Sequence, residues 1–209
     1  MSLATLLVLA DGRFPAGGHA HSGGLEVAAA SGAVHDLASL GAFLGGRLRT
    51  AGLVAAALAA ASAAPGADLV WLDGETDART PSPAQRAASR RLGRQLVRAA
   101  RTAWPGAGWA SVPVGPHHPV ALGAATSAAG LPPSDAALVA ASASVSGPAT
   151  AAVRLLGLDP LAVTGVLADL APAVDRVAEA AARSAAAGDL PALSAPLLDI
   201  GAEIHATWE

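Results

Sequence analysis

Two histidines, His19 and His21, flank Ala20 within the glycine-rich stretch Ala16-Gly17-Gly18-His19-Ala20-His21-Ser22-Gly23-Gly24. In an extended loop this spacing turns both rings to one side. With Glu26 or Asp11 they could then bind a divalent metal such as nickel or zinc. Two ligands are too few for a tight site and no third histidine stands nearby, so the competing reading is a pair that shapes a loop or an interface. His117-His118 sits at a loop-to-helix junction, where adjacent side chains point apart. The glycines suggest a phosphate loop, but that motif requires a lysine and the chain has none. Ser22 follows His21, with Asp36 or Asp11 as a possible third member of a triad, yet no nucleophile-elbow pattern is present. Asp73, Glu75 and Asp77 offer paired carboxylates ahead of Arg79, a pattern that suits a charged surface turn. Cysteine is absent, which excludes disulfides, thiolate nucleophiles, thiolate zinc sites and iron–sulfur clusters. No catalytic constellation and no resident cofactor emerge.

The elements that carry these residues follow from composition. Of 209 residues 57 are alanine, aromatics are 3%, and all 13 basic residues are arginine. Alanine is the best helix former and strand-favouring residues are scarce, so the expected fold is an all-α bundle of about eight to ten helices in a single domain over 1–209. Charged residues make up 14% and the net charge is −3. No basic surplus exists to neutralise a phosphate backbone, which argues against nucleic acid. A surface rich in alanine and short of charge points to a partner covering part of it. The apolar start at Met1–Ala10 lacks a basic region and is interrupted by Asp11 and Arg13, unlike a signal peptide. The uncharged run Thr50 to Ala64, ended by Pro65, is shorter than the ~20 residues a membrane span needs. A cytoplasmic protein with no membrane segment is expected.

Helical spacing and start signals place the elements. Leu3, Leu6, Leu7 and Ala10 share one face, and Asp11–Gly24 reads as an ordered loop. Ser22 is the expected cap of the next helix, with Glu26 in its first turn. Asp36 caps a long helix through Leu48, continuing or restarting over Leu53–Ala64 with Gly45-Gly46 as the weak point. Thr80-Pro81 and Ser82-Pro83 open a helix over Ala84–Arg101. A Pro/Gly loop covers Trp104–Pro116, with Val112–Val114 the one strand candidate. Further helices are expected from His118 to Ala129, Ser134 to Leu156 and Asp159 to Ala187. Pro172 should kink or split the last of these. A linker at Gly188–Pro196 leads to a final helix over Leu197–Trp208.

Within the 84–101 helix, arginines at 86, 90, 94, 98 and 101 form a one-sided stripe, and no acid of that helix neutralises it. It is either a solvated face or a docking face for an acidic partner. On the second reading, reversing Arg90 and Arg94 to Glu should weaken a complex without unfolding the protein.

The run Leu6-Leu7-Val8-Leu9-Ala10-Asp11-Gly12-Arg13-Phe14-Pro15-Ala16-Gly17-Gly18-His19-Ala20-His21-Ser22-Gly23-Gly24-Leu25-Glu26 resembles the opening of the urease accessory protein UreF family. That opening is an apolar helix, an Asp, a Pro-x-Gly turn, an aromatic or histidine, Ser and Gly-Leu-Glu. Three later segments are similar in order and spacing: Arg79–Leu96, His118-Pro119-Val120-Ala121-Leu122-Gly123, and Leu197–His205. High alanine without lysine resembles actinobacterial members.

The resemblance implies a non-catalytic, all-helical, cytoplasmic homodimer. Such a scaffold bridges the accessory protein UreD (UreH), which docks on apo-urease, and the GTPase UreG, coupling GTP hydrolysis to nickel insertion. It further implies that Pro15, Gly17, His21, Ser22, Gly24, Leu25 and Glu26 shape a UreD-facing surface, with Asp199 and His205 near it. The alternative is a direct nickel-binding metallochaperone using His19 and His21, possibly with His205. Three departures stand out. His19 replaces the more usual aromatic, and Arg154-Leu155-Leu156-Gly157-Leu158-Asp159-Pro160 replaces an Arg-Leu-x-Pro-Leu-Gly-Gln pattern. The family's Arg-Leu-Phe-containing tail is not found before Glu209, so weakened partner binding is the expectation.

Overall fold

The structure is a computed structural model that describes residues 2–14, 22–193 and 195–206. Among these the chain is helical and contains no strand. The order is α1 (Leu3–Ala10), α2 (Leu25–Ala30), α3 (Leu37–Arg47), a π turn (Leu48–Gly52), α4 (Leu53–Ala63), α5 (Leu69–Ala78) and α6 (Pro83–Ala103). A 3₁₀ turn (Ala107–Ser111) then leads to α7 (His118–Ala128), α8 (Pro133–Leu156), α9 (Pro160–Ala187) and α10 (Pro196–Ala206).

The centre of the bundle is α4, which packs on α7, α8 and α9. Eight of its eleven residues are buried, as are eight of eleven in α7. The two helices meet at backbone distance. A Cβ on Gly123 would lie 2.5 Å from the Ala59 carbonyl oxygen and 2.4 Å from Ser62 Cβ. Leu25, Leu40, Leu44, Leu48, Leu58 and Leu96 are fully enclosed and supply the largest burial terms, roughly 1.5–3 kcal/mol each. Outside this core α6 lies on α7, and α10 rests on α6 and α2.

Several start signals act as read. Asp36 accepts from Ser39 N–H while the Ser39 hydroxyl takes the Asp36 N–H, a complete capping box. Ser82 caps α6 with Pro83 in its first turn, and Asp159 caps α9 ahead of Pro160. At α2 the cap is Gly24 with φ 90°, while Ser22 Oγ lies 3.5 Å from the Glu26 N–H. A left-handed cap conformation is open to glycine and strained for serine.

Four expectations need correction. The helix opened by Asp36 does not weaken at Gly45-Gly46. It runs 27 residues, Leu37–Ala63, and its irregularity is the π turn, where Gly52 sits against Ser144. This helix and Pro133–Leu156 are long and apolar enough to cross a membrane, but half or more of each apolar window is buried inside the fold. Of the two outcomes expected at Pro172, a kink or a split, the split does not occur, since α9 is continuous from Pro160 to Ala187. Pro172 is exposed, as is Ala168, so water can satisfy the carbonyl that a proline cannot bond. Val112–Val114 is not a strand but the irregular exit from the 3₁₀ turn. Finally, the carboxylates at 73–77 lie on a helix, α5, started by Asp68, whose side chain accepts from Val70 and Trp71 N–H.

Candidate functional site

Three elements converge around Arg90. From α6 its guanidinium reaches two carboxylates of α5, with Nη1 2.8 Å from Asp73 Oδ2 and Nη2 2.6 Å from Asp77 Oδ2. Nη1 also donates to the Gly115 carbonyl at 2.9 Å. The loop into α7 adds His117, whose backbone N–H donates to Asp73 Oδ1 at 2.7 Å and whose ring has no exposed surface. His117 Nε2 lies 2.8 Å from Asp77 Oδ1 and Nδ1 lies 3.0 Å from Ser89 Oγ. Ser89 Oγ in turn accepts the His118 N–H at 3.0 Å.

This pattern suits a neutral ring. Nε2–H donates to Asp77, and Nδ1 accepts the proton of Ser89, whose oxygen is already accepting from the backbone. The electrostatics agree. Burial pushes the His117 pKa down against the opposing hydrogen bond to Asp77. Burial also works against ionisation of Asp77, but hydrogen bonds from His117 and Arg90 outweigh it and hold that carboxyl below its ordinary range. Burial of Arg90 is likewise outweighed by its two carboxylates, which raise its pKa.

Close approach makes the cluster possible. A Cβ on Gly93 would fall 2.0 Å from the Pro116 carbonyl oxygen, so α6 has bare backbone where the loop to α7 crosses it. Asp73, Asp77 and His117 bring ligand atoms within 4.8 Å of one another, and among the described residues they are the group that could hold a metal ion. Arg90 supplies the cation there, and both ring nitrogens of His117 are engaged. As it stands the cluster is a lock between α5, α6 and α7.

The sequence reading saw the arginine stripe and the carboxylates separately. Their acids are not on the same helix but one helix earlier, and the proposed docking residue Arg90 is held in this interior pairing. Reversing Arg90 would therefore disturb the fold, contrary to the expectation that it would not. Arg86 also turns inward, with Nη1 2.6 Å from the Thr80 carbonyl oxygen. Arg94 is exposed, as are Arg91 and Arg98, and among the described residues none of the three has an ion pair.

Pro15, Gly17, His19 and His21 lie outside the described residues. Of the remaining residues of the N-terminal motif, Leu25 is fully buried, Glu26 is exposed, and Gly24 faces α10. A Cβ on Gly24 would come 2.7 Å from Leu198 Cδ2, and one on Gly201 would come 2.9 Å from Val27 Cγ1. The start of α2 and helix α10 thus lie against one another. Asp199 is part-buried on α10, where burial raises its pKa despite a hydrogen bond with Gln85. His205 stands in the last turn of α10, and its side chain is outside the described part. Glu203, which the sequence reading passed over, anchors this helix. It accepts from the Ser82 hydroxyl and, at 2.8 Å, from the Ala84 N–H, so a carboxylate of α10 caps α6.

Comparison with known proteins identifies the lineage. The UreF family model matches residues 34–171. A protein of Mycobacterium sp. (strain JLS) named urease accessory protein UreF is 50% identical over 208 residues, covering 100% of this chain and 96% of its own. A protein of the same name from Mycolicibacterium vanbaalenii is 52% identical over 207 residues, covering 98% and 94%. Another from Mycobacterium tuberculosis (strain ATCC 25618 / H37Rv) is 47% identical over 204 residues, with the same shares. Identity of this order over nearly the whole length, on an all-α fold, places the chain in the UreF family of urease accessory proteins.

Proposed function

We propose that the protein is a non-catalytic scaffold of urease maturation, bridging UreD (UreH) and the GTPase UreG so that GTP hydrolysis is coupled to nickel insertion into apo-urease. The observation that carries this reading is the near-full-length identity to proteins named urease accessory protein UreF. The working form in this proposal is a cytoplasmic homodimer that meets urease through UreD. The side shared by α2 and α10, with Ser22, Gly24, Glu26, Asp199 and His205 and with Leu25 buried beneath it, is the proposed UreD-facing side, together with Pro15, Gly17 and His21.

The test is co-purification with cognate UreD and UreG in the presence of GTP and nickel, with mass determination of what elutes. A ternary complex is the expected result, and its absence overturns the bridging role. Stoichiometric micromolar nickel binding by the isolated protein, lost in a His19→Ala/His21→Ala variant, would favour the metallochaperone instead.

A further inference from the structure

We infer that the outer face of α6, formed by Arg91, Arg94 and Arg98 with Val114 beside them, is a docking surface for an acidic patch on one of the protein partners of the maturation assembly. This rests on the scaffold reading and assigns it a face. The spacing of three and four residues places the guanidinium stems on one side of the helix, along about 10 Å of its length. All three arginines are exposed, and α6 contains no Asp or Glu over 83–103. Like charges at i, i+3 and i, i+4 disfavour a helix, and among the described residues no acid of a neighbouring element pairs with them, although Asp73 and Asp77 do so for Arg90 one turn from Arg94.

The face is also partly preformed. Gly115 has φ 64°, which favours glycine there, and a Cβ at this position would be in ordinary contact with Arg94 Nη1 at 3.4 Å, so the Arg94 guanidinium lies beside the loop. At the end of the stripe Arg101 is fixed, donating to the Trp109 carbonyl at 3.1 Å with its guanidinium carbon 5.8 Å from that ring's centroid. Val114, next to Gly115, is fully exposed. Arg101, already held, loses less freedom on association than a free surface chain, and arginine is enriched among residues that dominate interfaces. The charge complement of this face is an acidic surface. An acidic protein suits it better than a nucleic acid, because the chain as a whole carries a net charge of −3 and would repel a long polyanion.

The test uses the full chain with purified UreD, UreG and the UreD–urease complex, each titrated separately. Arg91→Glu/Arg94→Glu/Arg98→Glu is compared with the milder triple Gln variant and with Arg176→Glu/Arg183→Glu, which reverses exposed arginines on α9. Helical content and melting temperature are checked for each. The expected result is at least a tenfold loss of affinity for one partner in the Glu variant, a smaller loss in the Gln variant, and none in the α9 control. Wild-type binding to that partner should weaken between about 50 and 200 mM salt. If wild type binds and the triple variants bind equally well, the docking face is wrong and the scaffold reading stands. If wild type binds none of the partners, the scaffold reading fails and this inference with it. Binding of a 20-base-pair DNA duplex through these arginines, with partner binding unaffected, would also overturn it.

Discussion

The imidazole of His117 is sealed from solvent with Nε2 2.8 Å from Asp77 Oδ1, so a group that ordinarily titrates near neutrality is held neutral beside a carboxylate. Its folded pKa lies below the ordinary 6.5. As pH falls through 6.5, the unfolded chain takes up a proton that the folded chain resists, and stability declines. The slope is at most about 1.4 kcal/mol per pH unit, down to the folded value. Asp77, whose folded pKa is depressed, adds its own loss below the ordinary 3.8. Urea unfolding at pH 7, 6 and 5 should show this decline, flattened in His117→Gln, whose amide can still donate to Asp77. An unchanged slope would show that His117 does not set it.

Arg90 and Arg94 are one helical turn apart and should respond very unequally to removal. Arg90→Ala removes the cation shared by Asp73 and Asp77, each left with its hydrogen bond from His117 alone, and the donor to the Gly115 carbonyl. A loss of about 2–3 kcal/mol is expected, the range for a charged hydrogen bond left unmade. Arg94→Ala should shift stability by no more than about 0.5 kcal/mol, as surface changes do. Paired denaturation midpoints check both.

Gly93→Ala should destabilise by about 3 kcal/mol, at the upper end for overpacking, because its methyl would meet the Pro116 carbonyl and neither backbone can rotate away. Gly74→Ala, on α5 with open space at the same atom, is the control and should be neutral or slightly stabilising. Equal midpoints for the two variants would contradict the close crossing of α6 and the loop before α7.

Glu203→Ala should release α10 while leaving the rest of the bundle intact. The helix rests on α6 and α2, and Glu203 accepts two hydrogen bonds from the start of α6, beside the Asp199–Gln85 contact. Limited proteolysis should cut within 189–206 markedly faster in the variant, with little change in the main melting transition. Hydrogen bonds from Ser82 and Ala84 hold the Glu203 carboxyl below its ordinary 4.5. The same release should therefore appear in wild type only as pH falls below that value.

Much of the helix order was legible because its signals are local. Asp36 three residues before Ser39, Ser82 before Pro83 and Asp159 before Pro160 each mark a start within one turn. Helix α5 was missed because Gly74, Thr76 and three acids in ten residues look like a turn. Its positions Leu69, Leu72 and Thr76 were nonetheless on one buried face, with Asp68 poised to cap it. The cluster around Arg90 was not legible at all. Asp73 and Arg90 are 17 residues apart and His117 is 44 from Asp73, so their meeting depends on how α5, α6 and α7 cross. Spacing within α6 could show that its charges were unmatched there, but not which of them a neighbouring helix would match. Likewise the exposed arginine and the locked one share a stripe, and only packing separates them.

The π turn at Leu48–Gly52 shifts the phase of the long helix that contains it. One extra residue per turn rotates everything downstream by about 100° relative to an uninterrupted α-helix. The leucine ridge of Leu40, Leu44 and Leu48 therefore does not continue along the same azimuth into α4. Its direction is handed over to small residues that the bundle surrounds. A single rod can in this way present a leucine edge to α8 and α9 and then an alanine cylinder to α7, α8 and α9. Removing one residue from the turn would restore the regular pitch and set the two halves of the rod against the wrong neighbours.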